Sequence, residues 1–335
     1  MELENCTAEQ FETFFDKIFE DKIAKNYIKD FLLNLNDINL PQNSFLGAIH
    51  SLKKRMTKIS APINALDVCG TGGDKLNTLN ISTAVSFIVA GLGVCVAKHG
   101  NKAISSRSGS ADIFQELDIK ICDDKTEIEE NLRNKNLCFL FAPLFHNSLK
   151  NVAEARKELG VATIFNFLGP LLNPANTRYQ LIGTSNRSSM SKIASVISQE
   201  QKEQKHNSQV FIVHGFDGMD EITLTDNSYL IRCIDGKIAD EEIINPQKLG
   251  FNKVKLSDIK GKDPKYNAKK LLELLNGKKS PYRDIAIINS AYALLAAKKV
   301  KNITEGLEAA SRSIDNGQAF KVLESLKFSN SFNDL

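Results

Sequence analysis

The sequence predicts an α/β fold: a small all-helical N-terminal domain plus a larger α/β domain with a mostly parallel central sheet flanked by helices. Three observations carry this expectation. Apolar residues recur at helical spacing through residues 8–58. From Ala61-Pro62 onward, short apolar runs, several closed by glycine, alternate with helical segments, which is the pattern of successive βα units. At 335 residues the chain also exceeds one ordinary core, so two domains are expected.

The helical region, residues 1–60, groups Phe11, Phe14, Phe15, Ile18 and Phe19, then Ile28, Phe31, Leu32 and Leu35, then Phe45, Ala48, Ile49 and Leu52. Three short amphipathic helices fit, broken near Asp21 and at Leu40-Pro41. Their phenylalanines make a core, with apolar surface left for a dimer contact. The second domain, 61–335, has strands expected near 64, 94, 138, 180 and 210. Residues 163–179, with Gly169-Pro170 and Asn173-Pro174, read as an irregular crossing that returns to the helical domain. Such a hinge would let the domains close and exclude water. The last residues, 328–335, are expected to fray.

Two βα units in succession point to a ligand with several phosphates. Asn64–Cys69 is a short, mostly apolar run, followed by Gly70-Thr-Gly-Gly-Asp74. Gly70, Gly72 and Gly73 allow positive φ and a concavity of backbone N–H groups. Asn80 is placed to cap a helix running through Ser82–Gly91, and a helix N-terminus attracts phosphate. The loop is neither a Walker sequence nor the spaced glycines of a dinucleotide fold. In the second unit, Val94–Ala97 leads into Lys98-His-Gly-Asn101, and Ser108 or Ser110 is placed to cap the helix that follows. Lys98 is a compact charge suited to phosphate. Asn101, Ser105, Ser106 and Ser110 add neutral donors. His99 could reach substrate or fix the loop through a carbonyl, and the second reading is preferred.

Beyond the strand Val210–Val213, Asp220 and Glu221 stand side by side in a glycine-containing loop. Adjacent carboxylates at that position suit Mg²⁺ shared with phosphate oxygens. His214 and Asp217 are left out, because Asp-Gly is an ordinary turn.

Together these residues closely resemble the anthranilate phosphoribosyltransferases of tryptophan biosynthesis, from the N-terminal helices to about the last helix. The motifs are Gly70–Asp74, Asn80–Thr83, Lys98–Asn101, Ser108–Asp112, Arg156–Gly160, Thr163–Leu171 with Asn173-Pro-Ala, Asp220-Glu221, Tyr282–Asp284 and Asn289-Ser-Ala. The resemblance implies that phosphoribosyl pyrophosphate is bound by Gly70, Gly73, Asp74, Thr78, Asn80, Ile81, Ser82, Thr83, Lys98, His99, Gly100, Asn101, Lys102, Ala103, Ile104, Ser105, Ser106 and Ser110. It implies magnesium, as two ions, on Ser82, Asp220 and Glu221. It places anthranilate at Gly70, Asn101 and Arg156, assigns the catalytic work to Lys98, Asp220 and Glu221, and suggests a homodimer. An arginine fork matches a carboxylate in two contacts. An aniline-type amine is unprotonated at neutral pH, so no strong base is expected. The alternatives are the same donor chemistry on another aromatic acid, a pyrimidine nucleoside phosphorylase, and a non-catalytic nucleic-acid-binding relative. Ala162 and Asn147–Leu149 depart from the family's usual residues.

Composition narrows the classes. A net charge of +3 is too small to imply nucleic-acid binding. No apolar run is long enough for a membrane span, and Met-Glu-Leu-Glu-Asn at the start is no signal peptide. Cys6, Cys69, Cys95, Cys122, Cys138 and Cys233 are scattered without metal spacing, so they read as reduced core residues of a cytoplasmic enzyme.

Overall fold

The computed structural model describes residues 3–35, 41–103, 107–205 and 207–327. Helices α1 (Ala8–Phe19), α2 (Lys25–Asn34) and α3 (Gln42–Arg55) come first. Thr7 and Gln10 form a capping box at the start of α1. The phenylalanines face inward as their spacing requires: Phe11, Phe15, Phe19 and Phe45 are buried with Ile28, Leu32 and Ile49. The same cluster takes in Val152, Ala155 and several residues of 164–172. The middle of the chain therefore returns to the helical layer, and a helix beginning at Lys150 joins it. The 328–335 segment lies outside the described residues.

Strand and helix alternate from there: β1 (Leu66–Gly70), α4 (Ile81–Gly91), β2 (Val96–Gly100), α5 (Ser110–Glu116), α6 (Lys125–Asn134), β3 (Leu137–Phe141), α7 (Ala142–Phe145), α8 (Lys150–Leu159), α9 (Phe165–Leu168), β4 (Tyr179–Gly183), α10 (Ser189–Gln204) and β5 (Gln209–Gly215). Then come β6 (Ser228–Ile234), β7 (Lys237–Ile238), β8 (Glu242–Ile244), α11 (Pro264–Leu275), α12 (Pro281–Ala296), α13 (Ile303–Asp315) and α14 (Gln318–Leu326).

The sheet order is β3-β2-β1-β4-β5-β6-β7, with β8 also on β6. The first five strands are parallel; β6 to β8 pair antiparallel. Both faces are covered, which explains the continuous apolar runs. Val68, Val96, Phe139, Phe211 and Val213 face the cluster that includes α4, α12 and α14. Ala97, Cys138, Ile182 and Ile212, one register step away, face two smaller clusters on the opposite side. The chain steps outward from β1 to β3, then crosses back to β4. The switch point therefore lies between β1 and β4, and open α/β sheets leave a crevice at the carboxyl ends of such strands.

The antiparallel edge was not foreseen, although Asp235-Gly236 carries the signal. Both residues have positive φ (51° and 79°) between β6 and β7, as a two-residue hairpin turn demands.

Helices α1 and α3 cross at Gly47, where an added Cβ would lie 2.5 Å from Phe11 Cβ and 2.6 Å from Glu12 N. Gly47→Val should overpack this crossing and destabilise the protein by about 1–3 kcal/mol. A lowered melting temperature by circular dichroism is the expected result.

Candidate active site

At the carboxyl end of β1 the chain turns through Gly72 and Gly73, at φ 68° and 83°. The Gly72 N–H donates to Asp220 Oδ2 at 2.8 Å, and the Thr71 N–H to the Gly183 carbonyl at 2.9 Å. Asp74 accepts from the Leu76 N–H at 3.1 Å. Asn80 occupies the N-cap position of α4 but does not cap it with its side chain. Its amide donates to Ser108 O at 3.1 Å, and its Oδ1 accepts from Asn267 at 3.0 Å. Asn80 thus ties together the two phosphate-type loops and α11. In its place the Glu221 carboxylate accepts the Ser82 N–H in the first turn of α4, so the positive end of the helix meets the acidic pair.

Lys98, on β2, is 1% exposed. Its ammonium donates to Val68 O at 2.8 Å and Ser82 Oγ at 3.2 Å. The buried Asp67 carboxylate accepts the His99 N–H at 3.1 Å. The His99 ring bonds the Gly169 carbonyl at 3.1 Å, so Nδ1 carries the proton and β2 is tied to the 163–179 crossing. Burial, reinforced by His146, pushes the His99 pKa down to about 3, leaving it neutral. The next loop closes through Asp112, whose Oδ2 accepts from Ala103 N at 3.1 Å and Gly109 N at 2.8 Å. Gly109 is therefore the cap residue of α5, and neither Ser108 nor Ser110 is. The serines are not needed as caps because the following aspartate reaches back to do the capping.

The acidic pair sits over the switch point. A methyl group on Gly183 would collide with the Asp220 carbonyl, and one on Gly70 with its carboxylate. Glycine is required at both strand ends for the loop to lie this close. Asn289 on α12 clamps the next residue, accepting from Ile222 N at 2.9 Å and donating to Ile222 O at 2.8 Å. Asp217 accepts from Met219 N and Thr223 Oγ1, and His214 donates to Thr184 O at 2.7 Å. Both residues serve the scaffold. Tyr282 OH donates to Asn80 O at 2.8 Å, while Nη2 of buried Arg283 donates to both Asp315 carboxylate oxygens at 2.9 Å.

A cleft of about 380 Å³ joins these parts. It is lined by Gly70, Gly73, Asp74, Thr78, Asn80, Ile81, Ser82, Lys98, His99, Gly100, Asn101, Lys102, Ala103, Ser110, Arg156, Asp220 and Glu221. Thr83 does not line it: fully buried, it donates to Ser110 Oγ at 3.3 Å. Ile104, Ser105 and Ser106 lie outside the described residues. The sequence reading missed Asn166, Lys262 and Asn267, which also line the cleft. Lys262 and Asn267 arrive through a β-bridge between Thr78 and Lys260, a pairing nearly two hundred positions apart with no local signature. Ala162 and Asn147–Leu149 are not among the residues lining the cleft.

Charge is crowded here. Burial, then the neighbouring Asp74, raises the Asp220 pKa to about 7. Burial, then Asp220, pushes Glu221 well above the usual carboxylate range. Asp74 is raised by its burial, and burial lowers Lys98. Hard oxygen donors that repel one another fit Mg²⁺, and Ser82 adds a hydroxyl beside Lys98. Asp74 and Asp220 are close enough to share a hydrogen bond. At the far side, Arg156 on α8 pairs with no carboxylate among the described residues. Its guanidinium lies over the Phe165 ring at 5.2 Å.

Residues 63–320 match the family model for the glycosyl transferase family a/b domain. An anthranilate phosphoribosyltransferase of Beijerinckia indica is 40% identical over 322 residues, 96% of this chain and 92% of its own. One from Desulfitobacterium hafniense strain Y51 is 44% identical over 317 residues, covering 95% and 93%. The crystal structure of the Thermus thermophilus enzyme superposes with TM-score 0.88 at 27% identity, covering 96% and 94%. The Saccharomyces cerevisiae enzyme in complex with PRPP and Mg gives 0.86 at 26%, covering 96% and 92%.

Two outcomes follow from the charge crowding and the glycine contacts. A carboxyl with a raised folded-state pKa binds protons more tightly folded than unfolded, so stability falls as pH rises through that window. Without divalent cation, the melting temperature should therefore decline between about pH 4 and about pH 7, and Asp220→Asn should flatten the decline. Gly183→Ala should displace Asp220 and lower kcat/KM by at least about tenfold, read by steady-state kinetics.

Proposed function

This chain belongs to the anthranilate phosphoribosyltransferase family, and we propose that Lys98, Asp220 and Glu221 are the catalytic group of its cleft. The reaction moves the phosphoribosyl group of phosphoribosyl pyrophosphate to the amine of anthranilate, giving N-(5-phosphoribosyl)anthranilate and pyrophosphate. The observation that carries the residue assignment is the gathering of Asp220, Glu221 and the Lys98 ammonium at the start of α4 in one cleft.

The bond from ribose C1 to the pyrophosphate oxygen breaks, and a bond from C1 to the amine nitrogen forms. Positive character develops on the sugar, as in glycoside cleavage, and negative charge on the leaving oxygen. Lys98, held on Ser82 at the start of α4, meets that negative charge in place, with little reorganisation. Ser82, Asp220 and Glu221, with Asp74 beside them, would hold magnesium, which when bound neutralises pyrophosphate charge. Three carboxylates and a hydroxyl offer enough oxygen donors for two ions, with phosphate oxygens completing each shell. Arg156 binds the anthranilate carboxylate, with Gly70 and Asn101 completing that end, so the amine is presented to C1. The amine loses its proton after the bond forms and needs no dedicated base.

Residues 1–60 with 163–179 act as a unit that moves against the rest, a reading supported by their shared core with α8. A homodimer through this layer is supported by Tyr27 and Leu33, exposed apolar side chains on α2. Six free, buried cysteines support a reducing, cytoplasmic setting.

Pyrophosphate release, followed together with loss of anthranilate fluorescence, should require both substrates and stop with chelator. Lys98→Ala and Asp220→Ala should each lower kcat by about 10²–10³-fold. Unchanged turnover in either variant would remove that residue from the catalytic group.

A further inference from the structure

Arg156 can orient a carboxylate only if its long side chain is itself held. Nothing charged holds it: among the described residues it has no carboxylate partner. What holds it is a ring. The guanidinium carbon lies 5.2 Å from the Phe165 centroid. Phe165 is 7% exposed and does not line the cleft. Its own ring is fixed from behind by edge contacts with Phe15, at 6.1 Å and 84°, and Phe19, at 6.2 Å and 66°.

The backbone around it is equally constrained. Phe165 opens α9 and precedes Asn166, which lines the cleft and accepts the Thr163 N–H at 3.0 Å. Helix α8, which carries Arg156, is joined to α2 by Lys25–Glu154 at 2.7 Å and Lys29–Glu158 at 2.7 Å. Asn151 Nδ2 also donates to Phe19 O at 2.7 Å. The arginine and the ring beneath it are thus both anchored to the phenylalanine core of α1.

We infer that Phe165 is a positioning residue for the acceptor, acting through Arg156. An aromatic face beneath a guanidinium attracts it through the ring quadrupole and leaves its N–H edges free for a carboxylate. Without the ring, the arginine samples other rotamers, and each binding event has to order it again. The idea rests on the reading of Arg156 as the carboxylate group, and it adds that the helical core sets acceptor affinity from outside the cleft.

The test is steady-state kinetics on the full chain. Phe165→Leu should raise the anthranilate KM about tenfold, with kcat and the KM for phosphoribosyl pyrophosphate held within about twofold. Phe165→Tyr, which keeps the face, should restore the wild-type value. Phe167→Leu serves as control, since Phe167 lies in the same buried cluster but packs on Phe45 at 6.2 Å; it should lower the melting temperature and leave the anthranilate KM alone. In an Arg156→Gln background, Phe165→Leu should add no further rise. An unshifted KM in Phe165→Leu, an equal shift in Phe167→Leu, or an additive rise in the double variant overturns the inference. Arg156→Gln alone separates the two readings. If it leaves the acceptor KM unchanged, the arginine assignment fails first; if it raises KM while Phe165→Leu does not, only the role of Phe165 falls. Should Phe165→Leu fail to fold, Phe165→Met keeps volume without a ring and takes its place, with the same outcomes.

Discussion

Negative charge gathered at one end of a parallel sheet is the condition to which the rest of this structure answers. Burial, then Asp74, raises the proton affinity of Asp220, and burial, then Asp220 and Asp74, that of Glu221, with the Lys98 ammonium buried beside them. Left to electrostatics, the loop bearing Asp220 would move out toward water. It is kept in by contacts that do not depend on charge: Gly70 and Gly183 admit it to the strand ends, and Asn289 bonds its backbone on both sides. A site preloaded with repulsion is relieved by cations and by a substrate that brings them, which is how a fold can bind a polyphosphate tightly through acidic groups.

The same economy of contacts explains why several polar residues look misplaced for their type. Asn80 stands at a helix cap yet spends its side chain on the neighbouring loop and on α11. Lys98 is folded onto Val68 and Ser82. His99 is neutral and bonded to a carbonyl of the crossing segment. Each lies between two elements that must keep a fixed spacing around the cleft, so each side chain bridges where the usual local partner would not. The neutral imidazole fits the role given to it, because an aniline nitrogen asks for no base.

The helical layer contributes in a different way. It brings Arg156 to the cleft and holds it with aromatic surface instead of opposite charge. A paired carboxylate would compete with the substrate's own, whereas a ring does not. Ion pairs appear two residues to either side on the same helix, through Glu154 and Glu158, roughly opposite Arg156 around the helix, where they secure it without meeting the guanidinium.

Periodicity and local chemistry made much of this legible. The phenylalanine spacing of residues 8–58, the apolar runs of β1 to β5, and the glycines, Lys98 and Asp220-Glu221 each have a signature within a few residues. The βα order alone placed the ligand at the carboxyl edge. The Asp235-Gly236 hairpin was equally readable and was passed over. Three things had no local trace. The Asp112 carboxylate that caps at Gly109 also closes the loop onto the Ala103 N–H, nine positions back. Lys262 and Asn267 reached the cleft through a bridge to Thr78, and Phe165 came to lie beneath Arg156. The sequence by itself determined which chemistry the chain can hold, because residue type and short-range spacing fix donors, charges and backbone freedom. Only the tertiary structure decided which groups face one another, because those contacts depend on how helices and strands far apart in the chain pack together.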